Sequence, residues 1–142
     1  MAKGAVNTVF DLAVDKVKGL FTEFGQNNVS YNASKGVQQW ADLAEKALRL
    51  TNQYSVSNLN ALLMQMQHES GGNPNAINLW DSNAKKGIPS KGLMQVIDPT
   101  FRSYAMSPYD SNIYDPLSNM VAAIRYTVSR YGSLYRGWTA RG

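Results

Sequence analysis

Apolar residues recur at helical spacing along most of this chain. Val6, Phe10, Ala13, Val17, Leu20 and Phe24 follow one another at steps of four and three, the seam of an amphipathic helix over residues 1–24. Its charges are mixed in sign (Lys3, Asp11, Asp15, Lys16, Lys18, Glu23), which favours docking on protein over lying in a lipid surface. Residues 25–36, "GQNNVSYNASKG", are polar and rich in Asn, Ser and Gly, and read as a linker. From residue 37 to the end at 142 the pattern is that of one mainly α domain. Trp40, Leu43, Ala44, Ala47 and Leu48 mark one helix face, and Leu59, Leu62, Leu63 and Met66 a second, with Ser57 as its expected cap. Asp98-Pro99 and Asp115-Pro116 each predict a helix start, with the aspartate at the N-cap and proline in the first turn. The last helix carries Leu117, Met120, Val121, Ile124 and Val128 towards Gly132. Between Gly71 and Ser90 no period is legible, and a stretch of that length inside a compact domain points to a functional loop.

Composition narrows the chemistry. There is no cysteine and a single histidine, His68, so thiolate or histidine-built metal sites are not expected, nor is any cofactor. The net charge of +4 suits an anionic partner, but Lys85-Lys86 is the only adjacent basic pair. A nucleic-acid stripe is therefore not expected. No apolar run is long enough to span a bilayer, and no signal peptide is visible. The ending "YRGWTARG", with Trp138 so near it, suggests a piece of a longer protein.

Candidate acids emerge by elimination. Past Glu45 the carboxylates are Glu69, Asp81, Asp98, Asp110 and Asp115. Two of these are expected helix caps, and Asp110 lies in the turn-forming "SPYDSN". In "QMQHESGGNP" Glu69 stands at a helix end, where the dipole disfavours a negative charge. Neighbours such as Met66 favour the neutral acid, and two glycines clear space beside it. A protonated carboxyl on an open cleft is what glycosidic cleavage asks of a general acid. Asp81 has two readings, a turn-forming loop residue or a second acid. An EF-hand reading of "DSNAKKGIPSKG" fails, because Gly87 is one place late and Gly92 stands where a glutamate is needed. Trp80, Tyr104 and Tyr109 could stack on sugar faces or fill the core.

Taken together, "ESGGNPNA", "GLMQV" and "NIYDPLSNMVAAIRY" resemble the lysozyme-like soluble lytic transglycosylase (SLT) domain, over about residues 40–130. The phrasing is most like the wall-degrading domains of bacteriophage tail tape-measure proteins, and the long loop also brings goose-type lysozyme to mind. The resemblance implies a lysozyme-like helical fold with a long cleft loop. It implies Glu69 as catalytic acid, with Ser70, Ser90, Leu93, Met94, Gln95 and Tyr126 as substrate-binding residues and Asn119 near the cleft. The implied substrate is the glycan strand of peptidoglycan, cut between N-acetylmuramic acid and N-acetylglucosamine, outside the cell or from a virion, with phage tail proteins as neighbours. A transglycosylase needs one carboxylate, whereas a muramidase would use Asp81 to position water. A non-catalytic wall-binding or tail segment is the rival from another class. Two departures stand out: the stretch from Glu69 to Gly92 is long, and "SLYRGWTARG" replaces the family's "AYN", leaving Tyr131 or Tyr135 as substitutes.

Overall fold

A computed structural model describes residues 31–139; the expected helix over 1–24 and the first half of the linker lie outside them. A 3-10 stretch, Ala33–Trp40, is capped by the Asn32 side chain and kinked at Gly36. It leads into α1 (Ala41–Leu50) and α2 (Val56–Glu69). The long loop follows, with β1 (Ile77–Asn78), the single turn α3 (Ser82–Lys85) and β2 (Ser90–Lys91). Then come α4 (Asp98–Tyr104), α5 (Pro116–Tyr131) and a π-helical turn, Tyr135–Thr139. The architecture is the mainly helical one expected of a lysozyme-like SLT domain.

α5 is the centre of the domain. α1, α4 and the C-terminal turn all pack on it. Its period predicts one apolar face, yet Ser118, Asn119, Ala122, Ala123 and Thr127 are buried as well. Small residues on the second face allow this, letting neighbours approach from more than one side. Gly137 belongs to the same packing: a Cβ there would collide with the Thr127 methyl. Trp40, Leu48, Leu62, Met66, Leu117, Met120 and Ile124 are almost completely withdrawn from water. At roughly 1.5–3 kcal/mol for each large apolar side chain, these residues supply the main drive to fold.

Three local expectations need correction. Ser55, not Ser57, caps α2: its extended backbone lets the hydroxyl accept the Asn58 N–H at 3.0 Å, while Ser57 already lies inside the helix. Asp98 is not a cap either. Ile97 holds that position without a side-chain bond, and the Asp98 carboxylate is drawn to the Lys91 ammonium at 3.0 Å. Finally, Gly71–Ser90 is not without structure: β1 pairs antiparallel with β2, setting Ile77 against Lys91 and Asn78 against Ser90.

Asp115 does cap its helix. It accepts the Ser118 N–H at 3.0 Å and the Ser118 hydroxyl at 2.8 Å. It is buried, and its Oδ1 has no partner among the described residues. Burial raises its carboxyl above the ordinary 3.8, and the bonds from Ser118 pull the other way. The folded protein thus holds this proton to higher pH than the unfolded chain does. Below 3.8 both states are protonated, and as pH rises through the folded value stability is lost. Asp115→Asn keeps a capping oxygen of equal rank. Melting curves at pH 4 and pH 7 should show the variant losing less stability over that interval than the wild type.

Candidate active site

The site is assembled by two turns that lock together. α2 ends at Glu69, and Gly71, at φ 63°, closes the helix by donating to the carbonyls of Met66 and Gln67. Ser70 then reaches across the fold. Its hydroxyl donates to the Leu93 carbonyl at 2.7 Å and accepts the Gly72 N–H at 3.2 Å. The second turn is "GLMQ", residues 92–95, closed by paired bonds between Lys91 and Val96, each 2.9 Å. Gly92 sits at φ 81°, and a Cβ there would strike the Asn119 amide. Gln95 takes the left-handed conformation too, at φ 56°, unusual for a side chain of its size. Its amide donates to the carbonyls of Gly92 (2.9 Å) and Ala76 (3.2 Å), holding it there.

Asn119 fixes this turn from behind. From α5 it accepts the Met94 N–H at 2.7 Å and donates to the carbonyls of Ile113 (2.7 Å) and Lys91 (3.0 Å). It is fully buried, so its place near the cleft is that of a clamp with no exposed face.

A cavity of about 250 Å³ opens between the two turns and α5. Of the residues expected from the sequence, Glu69, Ser90, Met94, Gln95 and Tyr126 line it together. Leu93 is wholly buried and meets Ser70 through its carbonyl, so these two join the turns without lining the cavity. Asp81 is not a lining residue. Its carboxylate caps α3, accepting the Ala84 N–H at 2.9 Å. Among the described residues, Glu69 is thus the one acidic side chain lining the cavity.

The Glu69 carboxylate accepts a bond of 2.7 Å from the Gln65 amide, one helical turn earlier. Gln65 is a lining residue that the sequence reading missed, although its i, i+4 spacing from Glu69 was there to be read. Asn83, Thr100, Thr127 and Trp138 were missed as well. Trp138 comes to the cavity on the C-terminal turn, while Tyr131 and Tyr135, the proposed stand-ins for the absent motif, do not line it. Tyr104 meets the Tyr126 ring edge-on, with centroids 5.5 Å apart, and so braces a lining residue. No three His, Asp or Glu side chains gather as a metal site would require among the described residues.

Comparison with known proteins agrees with this architecture. The Transglycosylase SLT domain family matches residues 47–141. An uncharacterized protein of Bacillus subtilis (strain 168), YqbO, is 50% identical over 101 residues, covering 71% of this chain. The match spans only 6% of that protein's length. No solved structure matches the chain. The cavity walls, Glu69 at the end of α2 and the "GLMQ" turn all lie inside the matched segment, and the chain belongs to the transglycosylase SLT domain family.

Proposed function

We propose that Glu69 cleaves the β-1,4 bond between N-acetylmuramic acid and N-acetylglucosamine, acting as acid and then as base. Its proton goes to the departing glycosidic oxygen as the bond to muramic C1 breaks. The carboxylate so formed takes the proton of the muramic 6-hydroxyl, whose oxygen closes on C1. No water is consumed, and the product carries a 1,6-anhydro end. One observation carries this reading: among the described residues Glu69 is the only acid lining the cavity, and the Asp81 carboxylate is already engaged as a helix cap. Attack by water would ask for a second carboxylate across the ring.

Mass analysis of muropeptides released from purified wall tests the proposal. The products should be lighter by one water than hydrolysed ones and should resist borohydride reduction. Asp81→Asn, which preserves the cap, should keep activity within about threefold of the wild type, far from the 10²–10⁴-fold of a lost catalytic base. Reducible muramic ends together with an inactive Asp81→Asn would instead mean a muramidase of the goose type. For the whole protein, we infer a long wall-directed chain of which this is one part, extracellular or borne on a phage tail. The small share of YqbO occupied by its matching segment supports the length of that chain.

A further inference from the structure

The long loop leaves Ile77, Leu79 and Trp80 exposed, at 43%, 61% and 85% of their surface. Single exposed apolar residues are ordinary, but three within four positions form a patch that needs a reason. The backbone beneath them is held. Asn78 accepts the N–H groups of Trp80 (2.8 Å) and Asp81 (3.2 Å), and Asp81 caps the turn that follows. Trp80 is therefore presented to solvent from a fixed support.

We propose that Trp80 is a sugar-stacking platform for the glycan strand beyond the cavity, an inference that rests on the function proposed above. Continuity with the cavity supports this occupant. Asn78 pairs with Ser90, a lining residue, and Asn83, another, lies three positions after Trp80. The cavity's volume of about 250 Å³ is less than the roughly 300–1,000 Å³ of pockets that enclose a drug-sized ligand. A strand with sugars on both sides of the cut bond must therefore run out over the rim. A pyranose ring offers an apolar C–H face to an indole, and the indole N–H can serve a hydroxyl or acetamide. Lys85 and Lys86, exposed on the same loop, complement the carboxylates of muramic acid and its peptides, which fits wall glycan better than a neutral chitin chain.

The test uses the full chain carrying Glu69→Gln, so that strands bind without turnover. Calorimetric titration with muropeptide tetrasaccharide and octasaccharide should show Trp80→Ala weakening the octasaccharide about five- to tenfold. The tetrasaccharide should change less than twofold, and Trp80→Phe should recover most of the loss. In the otherwise wild-type enzyme the defect should fall mainly on KM for long strands. Equal octasaccharide affinity with and without Trp80, in a protein that still releases anhydro ends as wild type, overturns the platform and leaves the proposed function standing. Absence of both glycan binding and product release overturns both.

Discussion

Glu69→Gln should abolish wall lysis, with a loss of roughly 10³-fold or more, in the upper half of the 10²–10⁴-fold range for removal of a general acid–base group or beyond it. The size follows from the economy of the site. With one carboxyl among the described lining residues, a single substitution would remove both the proposed proton donor of the first step and the proposed acceptor of the second. The fold should not notice. Glutamine keeps the volume, and its carbonyl oxygen can still accept from Gln65, whose amide lies 2.7 Å from the native carboxylate. Turbidity assays on purified wall, beside a melting curve within about 0.5 kcal/mol of wild type, check both halves. Clearing by the variant above a few per cent of wild type would remove Glu69 from its role.

Asn119→Ala should be the most damaging substitution outside the catalytic group. The side chain makes three bonds from a fully buried position, and alanine strands the Met94 N–H and the Ile113 carbonyl, while the Lys91 carbonyl keeps only the Val96 N–H. At about 1–3 kcal/mol for each buried group left unsatisfied, a total of about 2 kcal/mol or more is expected. In a domain of this size each kcal/mol lowers the melting temperature by about 4–8 °C. Activity should fall faster than stability, because the "GLMQ" turn that presents Met94 and Gln95 loses its rear support. Asn119→Asp keeps the acceptor for Met94 but turns two donations into repulsions, so it should not rescue. A variant that melts like the wild type would show that the turn stands without its clamp.

What could be read from the sequence is what depends on neighbours in the chain. The apolar period located α1, α2 and α5, and "ESGG" placed a carboxylate at a helix end because glutamate, serine and two glycines determine that geometry locally. Asp115-Pro116 gave a true cap for the same reason. Asp98-Pro99 looked identical and was not one, since Lys91 competes for the carboxylate from seven residues away. Asn119 showed its position on α5 but not its task, which exists only once the "GLMQ" turn is packed against that helix. Trp138 was the least legible, because nothing near it in the chain says that the C-terminal turn folds back onto the cavity.

Gly72 and Gly36 bear on how the domain can be excised. A Cβ at Gly72 would lie 2.6 Å from the Gly36 carbonyl oxygen, and the Trp40 indole donates to the Gly72 carbonyl at 2.7 Å. The turn carrying Glu69 is thus backed by residues that precede α1, whereas the family match begins only at residue 47. A fragment trimmed to the region of similarity would lose a tryptophan that is 1% exposed. Truncating such a side chain costs about 3–5 kcal/mol, much of a small domain's whole stability. The working unit therefore reaches further towards the N-terminus than kinship with the family reveals, and its edge is set by where the catalytic turn finds its backing.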